Sequence, residues 1–244
     1  KGGDGPFGPM MIERYDNKLV NQGVSAEMIA EKWNLSRTQL DEMAVESHER
    51  AARATQDGLF GEEIVEVAGV TADQGIRPGS SVERLAGLPT PFLEDGVVTA
   101  GNASQISDGS AALLVTTSEK AAELGLTPLV RFHTGVMAGV DPIMMLTGPI
   151  PATQKVLDRA GLRLDEIGAI EINEAFASVV GAWFAETGAD PKITNPNGGA
   201  IALGHPLGAS GARLMTTLIH QMKRNDIRYG LQTMCEGGGM ANAT

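Results

Sequence analysis

The second half of the chain alternates short apolar runs with amphipathic stretches, and this alternation constrains the fold more than any other feature. Residues 129–133, 169–172 and 229–234 are apolar runs of strand length. Helical patterns lie between them, at 152–160, from Asn173-Glu174 through Ala185, and up to about Arg224. A chain of this kind is expected to build a mainly parallel sheet with helices on its faces. In such sheets the loops after the carboxyl ends of the strands converge on a ligand crevice. Asn173, His205 and Cys235 each fall in such a loop. Their shared position is the strongest physical argument in the sequence for an active site.

The first half is less regular. Residues 1–24 are rich in Gly, Pro and Met without a steady period and read as an irregular surface segment. Ser25 is placed to cap a short helix reaching about Trp33. Ser36 with Gln39 forms a capping-box pattern. It opens a long amphipathic helix with Leu40, Met43, Ala44 and Val45 on one side, closing near Gly58. His48, amid Glu46, Glu49 and Arg50, reads as a solvated side chain of that helix. Residues 63–67 read as a strand and 74–79 as a turn. The polar, small-residue loop 99–109 leads into a β-type run at 111–116, and Ser118 then caps a helix ending at Gly125.

Composition narrows the function. The chain has 244 residues, 42% of them hydrophobic and 20% charged, as in a soluble globular protein with a substantial core. A formal charge of -11 leaves no basic face to neutralise phosphates, which argues against a nucleic-acid partner. The single cysteine, Cys235, excludes an internal disulfide and a multi-cysteine metal site, and suits a reducing, cytoplasmic compartment. No apolar run approaches the roughly 18–20 residues of a membrane span. The opening Lys1-Gly2-Gly3 and the stop at Thr244 both read as cut ends.

Residues 197–213 carry five glycines around His205, so the backbone can turn tightly and approach a ligand closely. The apolar run that follows places this histidine near a helix N-terminus, which favours the neutral ring as a proton acceptor near pH 7. A glycine-rich turn holding a structural histidine is the plainer alternative. Cys235 precedes Glu236 and the run Gly237, Gly238 and Gly239, whose N–H groups can form a nest for a thiolate or an oxyanion. An inert buried thiol is the plainer reading there. The amide of Asn173 can orient a water or donate to an oxyanion. The set suits thioester or carbon-acid chemistry, and a cysteine hydrolase equally.

Five blocks of sequence resemble the thiolase family of acetyl-CoA acetyltransferases and 3-ketoacyl-CoA thiolases. They are Asn173-Glu174-Ala175-Phe176-Ala177, the whole of 197–213, Cys235-Glu236-Gly237-Gly238-Gly239, Thr99-Ala100-Gly101-Asn102-Ala103-Ser104, and Gly148-Pro149-Ile150-Pro151-Ala152. Within the family the chain is most similar to bacterial degradative acyltransferases, including those of steroid-ring catabolism. The resemblance implies an α/β/α/β/α layered fold of two similar halves with an inserted loop domain, here truncated at both ends. Residues 1–102 would form the loop domain and CoA-contacting segment, 103–127 the end of the N-terminal half, and 128–244 the C-terminal half.

The resemblance also implies roles. Cys235 matches the acid/base cysteine, and His205 the histidine that activates the acyl-accepting cysteine and contributes to an oxyanion hole. Asn173 matches the residue that positions the water of that hole, and Gly237 a backbone donor to a second one. Ser104, Ala100, Gly101, Arg77 and Phe92 fall where the family contacts coenzyme A, which is a substrate rather than a resident cofactor; an exposed surface charge is the alternative for Arg77. No metal is implied, and a homodimer or homotetramer is. The departure is that thiolases use two cysteines, and the acyl-accepting one lies upstream of Lys1, so this chain is expected to be inactive alone. Asn21-Gln22 stands where many biosynthetic members carry His-Met, and Met240-Ala241-Asn242 replaces a glycine-containing sequence; both bear on acyl preference. A non-catalytic thiolase-like protein binding CoA esters or lipids is the alternative function.

Overall fold

The computed structural model describes residues 7–244; Lys1-Gly2-Gly3 lie outside them. The chain runs through α1 (Pro9–Arg14), α2 (Gln22–Lys32), α3 (Arg37–Gln56), α4 (Val82–Ala86) and α5 (Ser118–Glu123) before reaching its first strand. Then follow β1 (Val136–Gly139), α6 (Pro149–Ala160), β2 (Ala169–Ile172), α7 (Ala177–Thr187), α8 (Ala200–Leu203), α9 (Ser210–Arg224), β3 (Gly230–Glu236) and β4 (Met240–Ala243). One sheet forms among the described residues, in the order β1-β4-β3-β2. β2 and β3 are parallel, with Ile172 opposite Thr233, whereas β4 is antiparallel to both β3 and β1. The sheet is therefore mixed rather than mainly parallel, because the three glycines at 237–239 turn the chain straight back beside β3 instead of sending it through a helix.

β2 is buried on both faces, as expected of a strand covered by helices on each side. Ile170 and Ile172 face Val156 and Leu157 of α6 and Val180 and Trp183 of α7. Trp183 is fully buried, and its indole N–H donates to Thr153 Oγ1 at 2.9 Å, so its one polar atom is satisfied. The opposite face carries Glu171 and Gln232, and the Gln232 amide donates to Gly211 O at 3.1 Å, which places α9 on that side. On its outer edge β2 is completed by Asn195, whose side chain accepts from Ile172 N and donates to Ile172 O, both at 2.9 Å. The amide extends a short parallel bridge, in which Ile170 N donates to Ile193 O and Asn195 N to Ile170 O, both at 2.8 Å.

Local signals decide several elements. Ser36 and Gln39 form the capping box of α3 with both bonds in place. Gly161 ends α6 in the left-handed region at φ 68°, the conformation glycine adopts at least cost. Other expectations are corrected. α1 forms inside the segment read as irregular. α2 is capped by Asn21, not Ser25, whose hydroxyl instead donates to Met144 O at 2.8 Å. Thr117 rather than Ser118 caps α5. The β-type runs at 63–67, 111–116 and 129–133 form no strands. Val65, Leu114, Val115, Leu129 and Phe132 stand exposed, and a strand without a partner cannot satisfy its ladder. The first strand begins later, at Val136, where β4 supplies a partner.

Candidate active site

Two loops and a strand end meet at the carboxyl ends of β2 and β3. Cys235, expected in a loop, lies within β3, because its pairing with β4 carries the strand on to Glu236. The first leaves β2 at Asn173, whose backbone N–H still donates to Thr233 O at 3.1 Å and prolongs the parallel ladder. The second is the glycine loop, folded as the short helix α8, a left-handed Gly204 at φ 90°, and His205. It therefore does not run directly into a helix, and α9 begins only at Ser210. The third is the end of β3 itself, with Cys235 followed by the turn at 237–239.

Asn173 and His205 are in direct contact, with Nδ2 of the amide 3.4 Å from Nε2 of the ring. The other ring nitrogen, Nδ1, is paired with Ser210 Oγ. That hydroxyl has one proton, and it donates it to Pro206 O at 2.9 Å. Nδ1 must then be the donor to Ser210, which leaves Nε2 with a free lone pair facing Asn173. Burial holds the pKa of His205 below the ordinary histidine value, and the Arg213 cation nearby lowers it further. The lowered value favours the neutral ring, and burial rather than a helix terminus is its main cause.

Cys235 sits on the neighbouring strand, buried against Ala26 and Ile29 of α2 and Ala175 and Val179 of the first loop and α7. Its thiol makes no hydrogen bond to His205 or Asn173 among the described residues. Burial pushes its pKa up to about 12, so the apolar surroundings override the glycine nest, and the resting state is a thiol. The apolar surroundings thus count against a thiolate, one of the two anions the nest could hold. Gly237, with the left-handed Gly238 and Gly239 after it, is exposed. A β-carbon there would lie 3.7 Å from the Gln22 amide, so α2 starts directly over this turn.

The five candidate CoA contacts divide. Ser104 N donates to Ala175 O at 2.9 Å, and the Phe92 ring stands edge-on to Phe176 at 6.3 Å, so both border the Asn173 loop. Ala100 and Gly101 lie in the preceding turn, with Gly101 N on Thr99 Oγ1 at 3.1 Å. Arg77 lies apart from them, its side chain exposed and its backbone N–H donating to His48 Nδ1 at 3.1 Å. His48 is thus buried and acts as an acceptor, contrary to its reading as a solvated side chain. Burial, and then Arg77, lowers its pKa.

Three further groups support the site; they lie in recognised sequence blocks, but the sequence alone does not reveal their partners. Glu174 is buried and accepts from Ser47 Oγ at 2.7 Å, Asn195 Nδ2 at 2.9 Å and Ile201 N at 3.2 Å. It ties α3, the 195 turn and α8 to the Asn173 loop. Ser210 fixes the tautomer of His205. Arg213 borders a cavity of about 100 Å³, next to Gly204 and Pro206, that Asp73 and Ser107 also line. Among the described residues no cluster of three or more His, Cys, Asp or Glu has the arrangement of a metal site, and no helix is long and apolar enough to cross a membrane.

An amide and a histidine on adjoining loops, with a buried thiol at the end of the neighbouring strand, are groups that could exchange protons with a ligand. Comparison with known proteins supplies the class. The model of the thiolase N-terminal domain matches residues 9–119, and that of the thiolase C-terminal domain residues 126–244. The chain is 51% identical to the steroid 3-ketoacyl-CoA thiolase FadA6 of Mycobacterium tuberculosis, over 96% of this chain and 58% of that protein. It is 46% identical to an acetyl-CoA acetyltransferase of Paracoccus denitrificans, over 91% of this chain and 59% of that protein. The crystal structure of the Bacillus anthracis acetyl-CoA acetyltransferase superposes with a TM-score of 0.89 at 37% identity, covering 99% of this chain and 65% of that one. That of human mitochondrial 3-ketoacyl-CoA thiolase in complex with CoA gives 0.86 at 35% identity, covering 93% of this chain and 60% of that one. The chain belongs to the thiolase family and has its fold. It spans roughly three-fifths of the length of these relatives.

Proposed function

We propose that this chain is the larger part of a thiolase-type acyltransferase that cleaves 3-ketoacyl-CoA with CoA, or runs the reverse Claisen condensation. The observation that carries the reading is the Asn173–His205 contact, with a free Nε2 lone pair, beside a buried thiol at the end of the adjacent strand. A neutral imidazole with a directed lone pair can take the proton of an acyl-accepting thiol. The family's mechanism needs that second cysteine, and Cys235 is the single one in these 244 residues, so the chain would not turn over alone.

In the cleavage direction the accepting thiolate attacks the 3-keto carbon, and the bond between Cα and Cβ breaks. Acetyl-CoA leaves as an enolate, which takes the Cys235 proton at its α-carbon. The resulting Cys235 thiolate then takes the proton of the incoming CoA thiol, whose sulfur takes the acyl group as its bond to the accepting cysteine breaks. That cysteine leaves as a thiolate and recovers its proton from the His205 imidazolium, and Cys235 is restored. A thiol with its pKa pushed up to about 12 is protonated at rest, which suits the donor role. It is poorly suited to attack as a nucleophile, and this weighs against a cysteine hydrolase. Asn173 would hold the donor beside the oxyanion, and the Gly237 backbone N–H would serve a second one. Ser104 and Phe92 would contact the pantetheine arm, with Ala100, Gly101 and Arg77 further out. Residues 1–102, 103–127 and 128–244 would serve as loop domain, end of the first half and second half; the sheet lies wholly within the last.

The test is turnover of acetoacetyl-CoA and a longer 3-ketoacyl-CoA by the intact protein. Cys235→Ala and His205→Ala should each abolish cleavage and condensation. Near-normal turnover by either variant would remove that residue's role. Inactivity of the intact wild-type protein with bound CoA esters would instead support a binding role.

A further inference from the structure

Residues 102–105 form an extended strap in which Ser104 has a proposed CoA contact and Gln105 has no role so far. Ala177 N donates to Asn102 O at 2.9 Å, Ala103 bridges Phe176, and Ser104 N donates to Ala175 O at 2.9 Å. One residue on, the backbone N–H of His205 donates to Gln105 O at 3.0 Å. The strap therefore joins the loop carrying Asn173 to the loop carrying His205 through main-chain bonds alone.

The side chain of Gln105 extends this junction in a third direction. Its Nε2 donates to Gly75 O at 2.8 Å and to Ile201 O at 2.9 Å, and lies 3.3 Å from Ala202 O. Ile201 and Ala202 belong to α8, a four-residue helix whose last carbonyls have no continuing turn to accept. Gly75 belongs to the turn that His48 anchors through Arg77 N. The contact is tight enough to need glycine at 75, where a β-carbon would lie 2.8 Å from Ala202 O and 3.1 Å from the Gln105 amide. An apolar side chain at 105 would strand these carbonyls.

We propose that Gln105 is a positioning residue of the site, whose amide locks α8 and the 74–79 turn onto the strap and so holds the His205 ring against Asn173. The proposal rests on the reading of Asn173 and His205 as a working pair. Its signal in the sequence is weak because its partners are some 30 and 96 residues away.

Two NMR measurements on the 244-residue chain test it, and neither depends on turnover. The backbone N–H of His205 in the unmodified chain should exchange with solvent at least about a hundredfold more slowly than an unprotected amide. In Gln105→Leu, which keeps the bulk and loses the donor, the His205 ring should titrate at least about half a pH unit higher, as burial relaxes. Ile170→Val, a destabilising change in the core, should leave that titration in place. Unprotected exchange at His205, or an unmoved titration in a folded Gln105→Leu, overturns the proposal. If Gln105→Leu does not fold, the exchange measurement decides. Normal His205 positioning in an intact protein without acyl transfer would count against the functional reading and not against Gln105.

Discussion

Glu171 is a buried carboxyl whose protonation bears on the stability of this chain. It is buried on the α9 side of β2 with neither carboxylate oxygen hydrogen-bonded. Burial pushes its pKa up to about 8 from 4.5, against the opposing pull of Arg213. The folded state therefore holds a proton that the unfolded chain has already released between those two values. By linkage, this group's contribution is greatest at low pH and declines as pH rises from about 4.5 to about 8. His48 and His205 act in the opposite sense, because their lowered values leave the unfolded chain more protonated below pH 6.5. Urea midpoints of Glu171→Gln should accordingly fall less than those of wild type between pH 5 and 8. Parallel curves would show that Glu171 is ionised in the fold. His48→Gln, which keeps an acceptor for Arg77 N, should lessen the loss of stability on the acid side; an unchanged acid limb would place His48 in solvent.

At the scale of elements, the glycine loop depends on close approach as well as on turning. Gly198 lies at φ 81°, and a β-carbon there would come 2.6 Å from Ser47 O and 2.7 Å from Ala51 Cβ of α3. Gly198→Ala should cost about 2 kcal/mol or more through the left-handed backbone and the overpacking together. Thermal unfolding measures it, and a loss within about 0.5 kcal/mol would show that α3 does not lie against the loop.

The same scale separates what was legible in the sequence from what was not. The capping box at Ser36, the left-handed stop at Gly161 and the strands at 169–172 and 230–236 rest on signals a few residues wide. The runs at 111–116 and 129–133 have the same local character, but a strand exists only where another chain segment pairs with it. His48 appears polar in its own helix and is buried by a turn 29 residues away. Glu174 sits in a recognisable motif, yet its structural role depends on Ser47, 127 residues earlier.

Across the whole molecule, one of four hydrophobic core clusters among the described residues packs α6 and α7 against the sheet. Trp183 and Ile170 are both fully buried, and each fills the junction between strand and helix. Trp183→Ala should cost about 3–5 kcal/mol and also strand the hydroxyl of Thr153. A denaturant midpoint within error of wild type would mean that α6 and α7 do not close over β2. Because Asn173 continues β2 and Cys235 lies in β3, this packing also sets the relative placement of these two residues.

On the mechanism proposed above, Cys235 moves the α-proton of the acyl group and does not carry the acyl group itself. Mass-resolved deuterium uptake at C2 of acetyl-CoA, catalysed by the intact protein in heavy water, separates these two roles. Wild type should exchange that position, whereas Cys235→Ala should lose exchange while still accepting acetyl on another cysteine. Exchange at the wild-type rate in Cys235→Ala, or acetyl found on Cys235 itself, would contradict the proton-transfer role.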